Sequence, residues 1–372
     1  MEQFVQFGNR RSKTRKVIVT CISVLLFVVL LFITNGSNIY LETTGETDEE
    51  SVECVAVSSP NIVIEASSGR VLTGLGIHQR MEPASTTKIL TAIVVLENLS
   101  VEDYVIVPKE ATLTEGSSIY LKAGEKWKIK DLLYGLMLRS GNDAAVTLAL
   151  ALGGIEKFAL LMNMTAIKAG AYNSNFVNPH GLHDDNHYTT AYDLAKITAY
   201  AYRNEEFVKI VSTEKYAYDY LNEERRVFTN KNKLLFVFDG ANGVKTGFTK
   251  KSGRCLVFGA KRKDMQLISV VLNEPDMWQK SASLMETCFS EYQLRRVLSK
   301  DDIKEIDYAD KTISVHVKND LYYPMKENEI DNLKYEYTIK SNVKNLTSDM
   351  EIGSISIKLA NHLIFFEKLY IM

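Results

Sequence analysis

Pro83-Ala84-Ser85-Thr86-Thr87-Lys88 opens the stretch that decides the fold, and it runs on into an almost wholly apolar segment, Ile89 to Leu96. Pro with hydroxyl residues at the start is a helix-opening signal. A helix that is apolar all round sits at the centre of its domain. Ser85 and Lys88 stand one turn apart on the same face of that helix. A serine hydroxyl is a weak nucleophile and needs an adjacent base. Lysine serves as that base only where burial or a second cation lowers its pKa. A buried helix supplies the first condition, and a second lysine further along the chain supplies the other.

Upstream of this helix, Asn61–Ala66 and Arg70–Thr73 read as short strands around Ser67-Ser68-Gly69. Downstream, helices are expected over Asp131–Leu138, Asp143–Leu152, Tyr192–Tyr202 and about Lys280–Tyr292. Arg254–Ala260 and Met265–Leu272, separated by Lys261-Arg262-Lys263-Asp264, read as a hairpin. That puts Lys245-Thr246-Gly247 on a strand just before it. Ser140-Gly141-Asn142 falls between two of the helices. Ser140 and Asn142 are placed to relay a proton and hold a substrate amide. Lys245 and Thr246 are placed to grip a carboxylate, and the backbone N–H groups of Ser85 and Phe248 to form an oxyanion hole. Singly, each motif reads as well as a helix cap, a turn or a strand end, because short motifs match often by chance. From about residue 293 the pattern changes to period-2 alternation, in Thr312–Val317, Tyr335–Ile339 and Ile352–Leu359, with no strong helix. Leu363–Met372 reads as a last core strand in preference to a membrane-touching end.

Taken jointly and in order, Ser85-x-x-Lys88, Ser140-x-Asn142 and Lys245-Thr246-Gly247 resemble the penicillin-binding protein and serine β-lactamase superfamily. Longer stretches look like the low-molecular-mass D-alanyl-D-alanine carboxypeptidases: Leu138 to Ala145, Asn178-Pro179-His180-Gly181-Leu182, and Gly243 to Thr249. The resemblance covers about residues 58–292, and the tail resembles that family's C-terminal domain more loosely. It implies an α+β catalytic domain, an antiparallel sheet flanked by a helical cluster, followed by a small all-β domain over 293–372. It implies that Ser85 attacks the bond between the terminal D-alanines of a peptidoglycan stem pentapeptide, with Lys88 taking its proton and Ser140 assisting. Asn142, Lys245, Thr246, Gly247, Phe248 and Thr249 would bind the substrate. β-Lactams would acylate Ser85 as mimics, and no cofactor is implied. An endopeptidase or transpeptidase would share the same acyl-enzyme, and a non-catalytic cell-wall binder is the reading from another class.

Two departures bear on that implication. Class A β-lactamases carry a further Glu after the Ser-x-Asn motif that activates the deacylating water, and the stretch from Lys157 to Asn204 contains no Glu. Slow release of penicillin is expected. Members of the family often have an Arg just before the last catalytic-domain helix that helps bind the substrate carboxylate. Here that position falls near Met277, with Trp278 next and Lys280 close by, so the load would shift to Lys245, Thr246 and Thr249.

The 372 residues carry a formal charge of −2, with 46% hydrophobic and 24% charged residues. That composition excludes wholesale disorder, and the charge argues against a dedicated nucleic-acid binder. Four cysteines make no disulfide framework. Cys255 reads as a buried free thiol, with a Cys255–Cys288 bridge as the alternative. Val17–Thr34 has no charged residue, follows Arg10, Arg11, Lys13, Arg15 and Lys16, and precedes an acidic segment from Glu42 to Glu53. It reads as a membrane anchor or a signal, with residues 1–16 cytoplasmic, 35–57 a polar stalk and the remainder outside. His180, His183, Asp184, Asp185 and His187 lack the spacing of a zinc motif, and no metal is expected there.

Overall fold

The computed structural model describes residues 58–220, 224–309, 311–341, 343 and 345–372. The expected tail, anchor or signal, and stalk (1–57), with Cys54, lie outside the described residues.

Five antiparallel strands form the central sheet, in the order Val71–Leu75, Asn61–Glu65, Met265–Val271, Gly253–Arg262, Ala241–Thr249. The hairpin read from 254–272 is present, and Lys245-Thr246-Gly247 lies on the edge strand beside it. The inner strands are near-continuously apolar because both faces of the sheet are covered. On one face Ile62, Ile64, Val257, Ile268 and Val270 join the helical cluster. On the other, Val63, Leu256, Phe258 and Leu267 pack with Met277, Met285 and Cys288 of the helix Met277–Glu291. Cys255 and Cys288 therefore belong to opposite faces, and both are free thiols. The bridge alternative is corrected by this placement.

The central apolar helix spans Lys88–Asn98, with every residue from Lys88 to Val95 buried. Each buried Ile or Leu there contributes about 1.5–3 kcal/mol. It begins one turn later than its sequence signals suggest. Ala84–Thr87 form a 3-10 turn ahead of it, and no side chain caps either start. Ser85 is thus not a helix cap. The helix expected over 131–138 is α-helical only for Ile129–Tyr134 and continues as a π turn, Gly135–Arg139. Helices Asn142–Ala151, Ile155–Lys168, Ala191–Ala201 and Glu205–Ser212 complete the cluster. A hairpin of Lys215–Tyr220 and Glu224–Thr229 packs beside it.

Beyond Glu291 the described chain is β-structure, interrupted by one 3-10 turn at Glu327–Asn332. A second antiparallel sheet runs Lys304–Tyr308, Lys311–His316, His362–Ile371, Glu351–Leu359, Leu333–Ile339. The last of the sequence-read strands is real: Ile371 faces Val315 in the ladder, and Leu369 and Ile371 are buried. Its first half differs, with Leu363 and Phe366 exposed.

Candidate active site

Lys88 is the focus of the site. Its Nζ lies 2.9 Å from Ser85 Oγ, 2.7 Å from Asn142 Oδ1 and 2.7 Å from the His180 carbonyl oxygen. Asn142 Nδ2 donates to the Glu115 carbonyl at 2.5 Å, which fixes the amide end that faces the lysine. Burial holds Lys88 well below the ordinary lysine range; the Lys245 and Lys231 charges push the same way, against Asp143. An uncharged amine has two N–H bonds and one lone pair. The two carbonyl oxygens can only accept, so they take both N–H bonds. In that form the lone pair would be left for the Ser85 hydroxyl, whereas a charged amine would donate to Ser85 Oγ.

The turn carrying Ser85 is tightly held. Ala84 has a φ of +48°, a region an L side chain enters only under constraint. A Cβ on Gly181, itself at φ +84°, would fall 1.8 Å from the Ala84 carbonyl oxygen. A Cβ on Gly247 would lie 3.1 Å from the Ser85 nitrogen. At Gly181 only glycine fits, and at Gly247 any side chain would press on the turn that carries Ser85. The loop 178–187 also binds the helix through Thr91 Oγ1, which donates to the Pro179 carbonyl at 2.6 Å. Thr87 Oγ1 and His187 Nε2 are 2.9 Å apart. Burial lowers His187 to about 4 and His180 to about 3. Nδ1 of each ring accepts a backbone N–H, from Val177 and Leu182 respectively. Both are neutral structural imidazoles.

The other motifs converge here. Ser140 is buried at φ +66°, at the end of the π turn. The Asp143 carboxylate accepts the Ile119 and Leu121 N–H groups and the Ser118 hydroxyl, fixing the loop whose Glu115 carbonyl holds Asn142. Lys245 is buried and donates to the Thr246 carbonyl at 2.9 Å. Burial, then Lys231, lowers it to about 7.

Ser85, Ser140, Thr246, Gly247 and Phe248 line one open cleft of about 340 Å³, within the range that takes small ligands. Lys88, Asn142 and Lys245 stand behind its wall. Thr249 does not line it: its hydroxyl pairs with Ser252 Oγ at 2.8 Å in the strand-end turn. Sequence reasoning missed three cleft residues, Ser117, Lys231 and Arg254; Met277 and Trp278 complete the lining. The available signal for Lys231 was its polar setting, Asn230-Lys231-Asn232. Both asparagines are buried, and their amides donate to the Thr213 and Gly243 carbonyls. Lys231 lies between these two anchored residues.

A family model described as D-alanyl-D-alanine carboxypeptidase matches residues 46–276, and one described as penicillin-binding protein 5, C-terminal domain, matches residues 292–372. The chain is 29% identical over 351 residues to D-alanyl-D-alanine carboxypeptidase DacF of Bacillus subtilis, covering 90% of this chain and 89% of that one. It is 30% identical over 314 residues to D-alanyl-D-alanine carboxypeptidase DacA of Haemophilus influenzae, covering 79% and 78%. Among solved structures, penicillin binding protein 5 from Haemophilus influenzae superimposes with a TM-score of 0.70 at 29% identity, over 84% of this chain and 96% of that one. The penicillin-binding type of catalytic domain with a C-terminal all-β domain is common to both. With the first family match spanning more than half of its residues, the chain belongs to the D-alanyl-D-alanine carboxypeptidase family.

Proposed function

We propose that the protein is a serine-type D-alanyl-D-alanine carboxypeptidase acting on peptidoglycan stem pentapeptides. The observation that carries this reading is the buried Lys88 amine, 2.9 Å from Ser85 Oγ and held by the Asn142 and His180 oxygens at 2.7 Å each. Ser85 Oγ attacks the carbonyl between the terminal D-alanines, and its proton passes to Lys88 Nζ. The oxyanion forms between the backbone N–H groups of Ser85 and Phe248, two residues that line the cleft. The C–N bond then breaks and the leaving amine takes a proton from Lys88, relayed by Ser140. Water hydrolyses the acyl-enzyme. A penicillin follows the first half of this path, and with no Glu from Lys157 to Asn204 its acyl group leaves slowly.

The test is release of free D-alanine from diacetyl-Lys-D-Ala-D-Ala by the purified full-length protein, with Ser85→Ala alongside. Release by the parent and none by Ser85→Ala is expected. No release from a folded parent would sink the reading. We also propose that the catalytic domain works outside the cytoplasmic membrane, held by Val17–Thr34. The basic cluster before that run and the acidic segment after it support this orientation. Protease added to intact spheroplasts should then cleave the protein from outside; full protection would overturn the placement.

A further inference from the structure

The scissile peptide leaves a residue with a free carboxylate two bonds beyond the departing nitrogen. That negative charge needs a partner inside the cleft, and three cations stand in or beside it. Lys245 is buried, spends a hydrogen bond on the Thr246 carbonyl, and loses its charge from about pH 7 upward. Lys231 lowers Lys88 and Lys245 electrostatically and faces Ser117 Oγ at 3.4 Å. A carboxylate docked on it would oppose the effect that keeps the base unprotonated.

Arg254 is different. It lines the same cleft as Ser85 and Thr246, whereas Lys88 and Lys245 do not line it. In the ladder it lies directly opposite Phe248, and Leu256 lies opposite Thr246. Facing residues of an antiparallel pair share a face, so Arg254, Phe248 and Thr246 project to the same side of the sheet. That side is covered by the start of the helix Met277–Glu291, whose Met277 and Trp278 complete the cleft wall without a charge. The Arg254 backbone carbonyl accepts the Glu274 N–H at 2.8 Å, which fixes the strand there. Among the described residues its guanidinium has no ion-pair or hydrogen-bond partner. Arginine keeps its charge at any working pH and offers a carboxylate a two-pronged donor.

We propose that Arg254 binds the free α-carboxylate of the departing D-alanine, together with the Thr246 hydroxyl, and so selects substrates that end at that residue. The assignment rests on the carboxypeptidase reading above. It supplies from the neighbouring strand the guanidinium that the sequence lacks at Met277.

The experiment compares full-length parent, Arg254→Gln and Arg254→Lys on three substrates. These are diacetyl-Lys-D-Ala-D-Ala, an acyl-D-alanyl thioglycolate with its free carboxylate, and the methyl ester of that thioglycolate. The thioesters are reactive enough to be turned over with or without the charge. For Arg254→Gln, kcat/KM on both carboxylate substrates should fall about 10- to 100-fold, mostly through KM, the range for a lost charge-assisted contact. The methyl ester should change less than about twofold, which also shows that the variant is folded. Arg254→Lys should recover part of the loss. Equal losses on the acid and its ester, or none on either acid, would overturn the assignment. A parent that turns over the thioesters but releases no D-alanine from the peptide would instead sink the carboxypeptidase reading, and this assignment with it.

Discussion

Burial is the main cause that lowers Lys88, and the charges of Lys245 and Lys231 add to it, so the pH at which Lys88 can serve as a base depends in part on these neighbours. Lys231 lowers both of the others. Removing it with Lys231→Gln raises both pKa values. A base with a raised pKa is protonated up to higher pH, so the acid limb of kcat/KM should move to higher pH. A pH–rate profile checks this, and an unmoved acid limb would refute the coupling. Lys245→Met tests the same group through stability. The folded protein holds Lys245 at about 7 against an ordinary 10.5, so the unfolded chain binds the extra proton between those values. Parent stability therefore rises with pH across that window. The variant should be inactive, and it should melt higher than the parent. The gain is largest at and below about pH 7 and shrinks toward pH 10.5. Melting curves at pH 6, 8 and 10 decide it. Ser85 and Lys88 were legible in the sequence because their spacing at the start of a buried helix implies their meeting; Asn142 was singled out by the ordered motifs to hold a substrate amide, and its bond to Lys88 is a long-range contact that spacing does not give. Arg254 was not, since what qualifies it is its ladder position opposite Phe248, a long-range pairing that no local pattern records.

Among the elements, the loop from Glu115 to Leu121 is shaped by one carboxylate. Asp143 takes the Ser118 hydroxyl and the Ile119 and Leu121 N–H groups, and that loop in turn holds both the backbone N–H and side-chain amide of Asn142. Asp143→Ala leaves buried donors unpaired and should cost about 2–4 kcal/mol. Acylation by a fluorescent penicillin should slow with it, since Asn142 loses its anchor to Glu115. A denaturant melt paired with labelling kinetics reads both, and an unchanged labelling rate would contradict the link. The hairpin 254–272 was legible from two apolar runs around a charged turn. The hairpin Lys215–Thr229 was not: the sequence from Asp219 to Arg226 is rich in charge, and its strand character comes from Trp127 and Phe228 packing on Tyr218. Helix Ile155–Lys168 was also unread, although Asn163, Phe158 and Met162 fasten it to the core.

At the scale of the whole molecule, one arginine fastens the β-sheet tail to the catalytic part. Arg70 makes a two-pronged ion pair with Glu329, donates to the Pro324 carbonyl, and lies within 5.2 Å of the Tyr292 ring centre and 5.1 Å of that of Tyr323. Tyr292 also reaches back to the Leu72 carbonyl at 3.2 Å. Arg70→Ala removes the ion pair and both ring contacts. Calorimetry should then show the single unfolding transition broaden or split, with faster proteolysis near Ser299, while kcat on the D-Ala-D-Ala peptide stays unchanged. A shared, unshifted transition would refute the fastening role.

The two glycine approaches around Ser85 carry a consequence for how this protein tolerates change. A nucleophile gripped between Gly181 and Gly247 has no room to recoil when an acyl group arrives, so adaptation falls to the cleft wall. In a saturation library scored for penicillin capture, position 181 should keep a one-letter alphabet and position 247 a very short one. Position 248, whose ring stands 64% exposed, should accept many letters. Novel acyl donors would be accommodated by trading residues at the rim, while the turn that delivers the attack is inherited intact.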